Sequence, residues 1–153
     1  MTSTTRLLRA ALLAISNLDA IRAASSEADI AEFPLFADLM LTAGEGLDWM
    51  SYKATSADGY ITTLWRITGA NSASNRDAPL GPILLQHGMY SDGTAWMERS
   101  DSTSPAFPIK LHLMGYDVWI TNSRGTEYSL GHTTLNWEVD PEYFNYGFQE
   151  VGL

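Results

Sequence analysis

Residues 82–88 read Pro-Ile-Leu-Leu-Gln-His-Gly, and this stretch decides the fold. A short apolar run that a glycine stops is typical of a strand buried on both faces, as in a parallel sheet. Residues 116–120, Tyr-Asp-Val-Trp-Ile, form a second run of this kind. Between the two runs, Ser104 as N-cap predicts a helix over 106–114 that ends at Gly115. Strand, helix and strand in this order predict a βαβ unit with parallel strands, and therefore an α/β fold with a mostly parallel sheet.

Upstream of this unit the sequence predicts an antiparallel hairpin. Residues 49–55 and 60–67 are rich in strand-forming side chains, and they flank the pair Asp58-Gly59. This pair between two such runs is a strong hairpin signal, because a tight turn needs positive φ, which glycine adopts without steric cost. Residues 69–81 then shift to Asn, Ser, Ala, Asp and Pro, which is typical of a surface loop.

The composition excludes several classes of function. The chain has 153 residues, of which 45% are hydrophobic, and this fits one globular domain. Eighteen acidic residues against nine basic ones give a formal charge of −9, which argues against binding to nucleic acid or to anionic membranes. The absence of cysteine excludes disulfides, thiolate metal sites and a cysteine nucleophile. No apolar run approaches the roughly 20 residues of a membrane-spanning helix, so no transmembrane segment is expected.

Residues 1–45 are expected to form an N-terminal helical segment, and two interpretations of its start stay open. Arg6 and Arg9 precede a short apolar run at 10–15, and Ala23-Ala24 follows as a cleavage region, which is the order of parts in a weak signal peptide. The alternative is an amphipathic helix with a single apolar stripe. That stripe consists of Leu8, Leu12, Ile15 and Leu18.

The first candidate functional loop follows the strand that ends near Gln86. Ligands of open α/β sheets gather at the carboxyl ends of the strands, which is why this loop is of interest. Gly88 lets the backbone turn sharply and leaves the N–H of Met89 free to face the crevice, where it could bind a developing oxyanion. The alternative is that His87-Gly88 forms an ordinary turn from a strand into a loop.

The second candidate loop, residues 121–129, follows the second strand. Asn122, Ser123 and Gly125 are turn-forming residues. A structural role is expected for Arg124, whose guanidinium can tie loops together by binding carbonyls or a carboxylate.

Neither a metal site nor a pair of catalytic carboxylates is expected. His87, His112 and His132 fall on a strand end, a helix and a loop, without the close helical spacing that zinc hydrolases use. Asp140 and Glu142 flank a proline before an aromatic run, and this pattern indicates a solvated helix start.

Taken in order, these segments resemble the acid lipase family of α/β-hydrolases, the group of gastric and lysosomal lipases and related sterol ester hydrolases. Any one motif is weakly specific, but five stretches share the family's order and approximate spacing. The stretches are 52–61 (YKATSADGYI), 84–89 (LLQHGM) with Trp96, 115–119 (GYDVW), 122–125 (NSRG) with Tyr128-Ser129, and 142–144 (EYF) through 148–150 (FQE).

The resemblance implies an incomplete α/β-hydrolase fold, with a partial lipase domain over 46–153. It implies that the backbone N–H of Met89 is one oxyanion-hole donor, at a position where the family usually has leucine. It also implies a lipid ester as substrate, no cofactor, and a secreted or lysosomal location. The chain departs from the family pattern at Thr126-Glu127, where the family tends to have Asn-Thr, and at Gly147, where it tends to have Ser. Both departures lie outside the expected chemistry.

The catalytic serine of such an enzyme is not among the 153 residues. Acyl transfer on this fold needs a serine in a G-x-S-x-G elbow, followed along the chain by an acid and a histidine. No serine of this sequence lies in such an elbow. We therefore expect a lipase fragment that is truncated before the nucleophile elbow and inactive alone. An apolar strand left at an open sheet edge is expected to make it poorly stable or prone to aggregation.

Two other functions stay open. A non-catalytic protein that binds lipid or a partner would retain acyl ligands without turnover of a p-nitrophenyl ester. An unrelated α/β-hydrolase, such as an epoxide hydrolase or a peptidase, would share the His-Gly loop but not the stretches 122–125 and 142–144. The sequence leaves the oligomeric state open.

Overall fold

The helices and strands follow the hydrophobic pattern of the sequence. The computed structural model describes residues 26–69, 78–99, 101 and 103–151. Both interpretations of the first residues, the signal peptide and the amphipathic helix, fall on positions outside the described residues. The helices are α1 (Glu27–Glu32), α2 (Pro34–Ala43), α3 (Phe107–Leu113) and α4 (Phe148–Val151), with 3₁₀ helices at Gly93–Met97 and Pro141–Phe144. The strands are β1 (Asp48–Thr55), β2 (Tyr60–Thr68), β3 (Pro82–Leu85), β4 (Asp117–Asn122) and β5 (Gly131–His132).

The predicted hairpin is confirmed by the pairing of β1 and β2. The two strands are antiparallel, in a register that runs from Asp48 opposite Thr68 to Thr55 opposite Ile61. Gly59 has a φ of +98°, the left-handed conformation that the turn needs. The turn thereby brings the side chain of Asp58 to the end of the hairpin.

The predicted βαβ unit is also confirmed, although its helix begins later than expected. β3 and β4 are parallel and α3 lies between them in sequence. The prediction of Ser104 as N-cap is wrong, because α3 begins at Phe107 with Pro108 in its first turn. The backbone N–H of Ser104 instead donates to the carboxylate of Asp101, at 3.0 Å. Ser104 therefore belongs to a turn that Asp101 closes before the helix.

Within the described residues, the sheet has the strand order β1-β2-β4-β3, and β5 pairs with β2. β3 is thus an edge strand. The prediction that β3 is buried on both faces is wrong, because the side chain of Leu84 is 61% exposed while that of Leu85 is 6% exposed. Leu85 belongs to the hydrophobic core that includes residues of α2 and α3, whereas Leu84 points to the opposite face, which the described part of the chain leaves exposed.

The core lies between one face of the sheet and the helices. Pro34 opens α2 at a position where a missing N–H costs nothing, and α2 then packs Phe36 flat on Trp65 with 3.9 Å between ring centroids. Val118 and Ile120 of β4 face the same core and are fully buried. α2 precedes the boundary expected at residue 46, yet it shares the core of the sheet. The division of the chain into 1–45 and 46–153 stays a prediction.

Candidate functional site

The two loops singled out from the sequence line one groove at the carboxyl ends of β3 and β4. The groove has a volume of about 890 Å³. Its walls come from residues 86–92 after β3, from residues 123–127 after β4, and from Tyr146, Phe148 and Val151. His87, Gly88, Met89, Arg124 and Gly125 are therefore brought together, as expected for loops that follow adjacent parallel strands.

His87 connects the two loops through its imidazole ring. The backbone N–H of Ser123 donates to Nε2 of His87 at 3.0 Å, so this nitrogen carries no proton. In the neutral ring the proton is then on Nδ1, which lies 2.8 Å from the carbonyl oxygen of Gly88 and donates to it. The ring is thus held between the backbone of the β4 loop and the backbone of the β3 loop.

Met89 is one of the residues that line the groove. Among the described residues, no acceptor takes the backbone N–H of Met89. The side chain of Met89 is 63% exposed. The role of this N–H as an oxyanion-hole donor stays a prediction.

The strained residue of this loop is Tyr90 rather than Gly88. Gly88 does not have positive φ, and a Cβ added to it would meet no atom within 4 Å. Tyr90 has a φ of +58° and is fully exposed. A left-handed conformation is uncommon for a residue with a Cβ, so nothing in the sequence signalled it. The turn of the loop is formed by Met89 and Tyr90.

Asn122 is buried beneath the β3 loop and is not among the residues that line the groove. It is the last residue of β4, and its side chain is 1% exposed. Its Oδ1 accepts the N–H of Gly93 at 2.9 Å, and its Nδ2 donates to the carbonyl of Thr63 at 3.4 Å. The sequence identified Asn122 as a turn former. Its amide instead joins β2 to the start of the Gly93–Met97 3₁₀ helix.

Gly93 is a residue that the sequence analysis missed. A Cβ at this position would lie 2.8 Å from Ile120 and 2.9 Å from Trp65. Only glycine allows the backbone to approach the core this closely. A glycine in a loop carries no signal for such close packing, because the contact is with residues distant in sequence.

Arg124 ties the second loop to the turn of the hairpin. Its side chain is buried and both of its terminal nitrogens bind the carboxylate of Asp58, with 3.3 Å between Nη2 and Oδ1. The guanidinium also lies over the ring of Tyr60, 4.2 Å from the centroid. The hydrogen bond from Arg124 and a second one from Ser56 lower the pKa of Asp58 from 3.8 to about 2. Gly125 follows with a φ of +80°.

His132 is engaged in backbone contacts away from the groove. Its Nδ1 accepts the N–H groups of Thr134 at 3.1 Å and Leu135 at 3.0 Å. Its Nε2 therefore carries the proton and donates to the carbonyl of Asp58 at 3.0 Å. Both ring nitrogens are occupied by structural bonds, so His132 connects β5 to the hairpin turn.

Neither a metal-binding cluster nor a membrane-spanning helix is found in the described part of the chain. No three His, Cys, Asp or Glu side chains converge there in a way that could hold a metal ion. No helix in the same residues combines the length and the apolar character needed to cross a membrane. The absence of a cofactor stays a prediction.

The fold and the groove define a class of protein. A hairpin followed by a βαβ unit, with loops that meet at the carboxyl ends of β3 and β4, is the architecture of an incomplete α/β-hydrolase domain. Residues 41–100 match the family model described as a partial alpha/beta-hydrolase lipase region.

Curated relatives are similar to the chain over most of its length. Triacylglycerol lipase 1 of Arabidopsis thaliana is 38% identical over 102 residues, which cover 67% of this chain and 24% of the relative. Lipase member K of Homo sapiens is 35% identical over 106 residues, or 69% of this chain and 26% of the relative. A putative lysosomal acid lipase/cholesteryl ester hydrolase of Crotalus adamanteus is 33% identical over 103 residues, or 67% of this chain and 25% of the relative.

These matches confirm the resemblance to the acid lipase family of α/β-hydrolases. The chain carries a partial α/β-hydrolase lipase region, similar to the amino-terminal part of acid lipases. It spans about a quarter of the length of the curated relatives it matches.

Proposed function

We propose that this chain supplies the oxyanion-binding loop of a serine lipase that hydrolyses triglycerides or sterol esters. The observation that carries the proposal is that Met89 lines the groove and that its N–H has no acceptor among the described residues. The carbonyl oxygen of an ester gains negative charge when a nucleophile attacks it. A backbone N–H already aimed at that oxygen stabilises the transition state, and one such donor contributes roughly 10²–10³ in kcat.

The groove also suits the acyl part of a lipid ester. Its walls include the exposed side chains of Met89, Tyr90, Phe148 and Val151. Apolar walls beside a backbone N–H donor match a ligand that has a polar carbonyl and a long hydrocarbon chain. The names of the relatives, a triacylglycerol lipase and a lysosomal acid lipase/cholesteryl ester hydrolase, support this substrate class and a lysosomal or secreted location.

The attacking hydroxyl belongs to other polypeptide in this proposal. No serine of the 153 residues lies in a G-x-S-x-G elbow, and both nitrogens of His132 are engaged in backbone contacts. The nucleophile and its base are therefore assigned, in this proposal, to other polypeptide. Incubation of the purified chain with a fluorophosphonate should leave its mass unchanged, and covalent labelling would contradict this part of the proposal.

A chimera tests the role of Met89 directly. The matching stretch of Triacylglycerol lipase 1 is replaced by that of this chain, and hydrolysis of p-nitrophenyl butyrate is measured. Met89 is the first central residue of a turn, a position that accepts proline, so Met89→Pro removes the N–H with little change to the backbone. We expect Met89→Pro to lower kcat by roughly 10²–10³-fold with KM nearly unchanged.

Met89→Leu is the matched control, because it keeps the N–H and the size of the side chain. It should retain the kcat of the unaltered chimera. Thermal melting of both variants tests whether they are folded. The proposal fails if Met89→Pro and Met89→Leu turn over the ester equally fast.

A further inference from the structure

We infer that His87 is a positioning residue, which aims the N–H of Met89 by holding the carbonyl of Gly88. The inference rests on the proposed function of the Met89 amide. It adds a role for a side chain that acts through the Gly88–Met89 peptide.

The hydrogen bond from Ser123 determines which nitrogen of His87 carries the proton. A backbone N–H can only donate, so the 3.0 Å contact from Ser123 makes Nε2 an acceptor. The neutral ring has one proton, which must then be on Nδ1, and Nδ1 donates it to the carbonyl of Gly88 at 2.8 Å. The direction of the Gly88 bond is therefore fixed by the Ser123 bond.

The carbonyl of Gly88 and the N–H of Met89 belong to the same peptide group. A peptide group is planar, and in the trans form its C=O and N–H point in opposite directions. A hydrogen bond that holds the carbonyl of Gly88 therefore also sets the direction of the N–H of Met89. Rotation of this one peptide would remove the donor from the groove without moving either neighbouring side chain.

The backbone at Gly88 has room to rotate. A Cβ built on Gly88 meets no atom within 4 Å, and glycine itself rotates more freely than any other residue. The hydrogen bond from His87 is the contact from a side chain that restrains the carbonyl. Without it, the peptide gains rotational freedom at the point where an oxyanion hole needs a fixed donor.

The ring of His87 is itself held by the loop that follows the neighbouring strand, β4. Besides the bond from the Ser123 backbone, Nε2 of Gln86 donates to Oγ of Ser123 at 2.8 Å. Oε1 of Gln86 accepts from Oγ1 of Thr121 at 2.7 Å. These bonds join the end of β3 to the end of β4, so the ring is held from the β4 side while it holds Gly88.

Two substitutions separate the bonds of the ring. In His87→Asn, the side-chain NH₂ can take the place of Nδ1–H and donate to Gly88, while the acceptor for Ser123 is lost. In His87→Gln, the longer side chain can offer its carbonyl oxygen near the position of Nε2, while the donor to Gly88 is lost. Both variants remove an imidazole, so a general structural role would affect them alike.

The decisive measurement is kcat and KM in the chimera described above. We expect His87→Gln to lower kcat by roughly 10²-fold with KM nearly unchanged, the scale of loss that misplacement of a catalytic group by about 1 Å causes. His87→Asn should recover most of that kcat. Equal kcat values for the two variants at similar melting temperatures would overturn the inference.

A second measurement uses the 153-residue chain without any catalysis. The ¹⁵N shifts of the His87 imidazole should show a proton on Nδ1, and the ¹⁵N relaxation order parameter of the Met89 amide should fall in His87→Gln but not in His87→Asn. A proton on Nε2, or equal order parameters in the two variants, counts against the inference. Failure of Met89→Pro to lower kcat would instead disprove the proposed function and leave these two readouts interpretable.

Discussion

Gly93 and Gly88 lie five residues apart in the same loop region, yet their surroundings are opposite. A Cβ on Gly93 would meet Ile120 at 2.8 Å and Trp65 at 2.9 Å, whereas a Cβ on Gly88 would meet nothing within 4 Å. Added atoms in a packed core force side chains and backbone to shift. At the residue scale, glycine is therefore required for space at Gly93 and not at Gly88.

We predict that Gly93→Ala lowers the free energy of unfolding by about 1–3 kcal/mol, the usual cost of overpacking. Urea denaturation followed by tryptophan fluorescence measures the change. Gly88→Ala is the control and should leave the urea midpoint nearly unchanged. Equal loss of stability in the two variants would show that the packing around Gly93 differs from that described.

Residue identities in the site were predictable where local chemistry gives a signal. The positions of His87, Gly88 and Met89 after a strand, and of Arg124 in the next loop, were indicated by the sequence. The partner of Arg124 was not indicated, because Asp58 lies 66 residues away along the chain. The positive φ of Tyr90 was missed for a different reason, since tyrosine is not a residue type that favours this conformation.

At the scale of elements, the pair of Asp58 and Arg124 joins the hairpin turn to the loop after β4. The pKa of Asp58 falls from 3.8 to about 2, first because Arg124 donates to its carboxylate and then because Ser56 does. A lowered folded-state pKa means that the ionised form stabilises the fold. This contribution is present above about pH 4 and is lost as the pH falls towards 2 and below.

We predict that Asp58→Asn lowers the melting temperature at pH 5 and that the gap from the unaltered chain narrows steadily down to pH 2. Thermal melts followed by circular dichroism at several pH values check this. Asp38→Asn removes the same charge from an exposed position on α2 and serves as control. A gap for Asp58→Asn that stays constant from pH 5 to pH 2 would rule out the ion pair as its cause.

The elements that could be predicted are those encoded by short, contiguous stretches of sequence. The β1–β2 hairpin follows from Asp58-Gly59, and the parallel pairing of β3 with β4 follows from the order of strand, helix and strand. The antiparallel pairing of β2 with β4 was not predictable, since it depends on contacts between distant parts of the chain. The edge position of β3 also depends on distant contacts, so the sequence pattern predicted burial on both faces of this strand.

At the scale of the whole molecule, β3 gives one face an apolar edge. Leu84 is 61% exposed on this edge strand, next to a face that the described helices do not cover. Exposed apolar edge strands promote pairing between chains, and a lysine on such a strand opposes it. β3 itself, Pro82–Leu85, contains no charged side chain that would oppose such pairing.

We predict that Leu84→Lys lowers aggregation of the chain at a given concentration and leaves the melting temperature nearly unchanged. Light scattering at increasing concentration measures the first, and circular dichroism the second. Leu85→Lys places the same residue one position along the strand but into the core, where Leu85 is 6% exposed, and it should unfold the chain. Aggregation that is the same for Leu84→Lys and the unaltered chain would remove β3 as its source.

The pairing of β2 with β4 has a consequence for synthesis of the chain. β2 ends at Thr68 and β4 ends at Asn122, 54 residues later along the chain (122 − 68), so the hairpin leaves the ribosome well before β4. At ~5–20 residues per second this is a delay of roughly 3–11 s. During that interval Trp65 and Ile67 have α2 to cover them but no β4 beside them. A nascent hairpin of this kind is a natural client for a chaperone that binds apolar strands, and ribosome profiling with chaperone capture should find it occupied until β4 emerges.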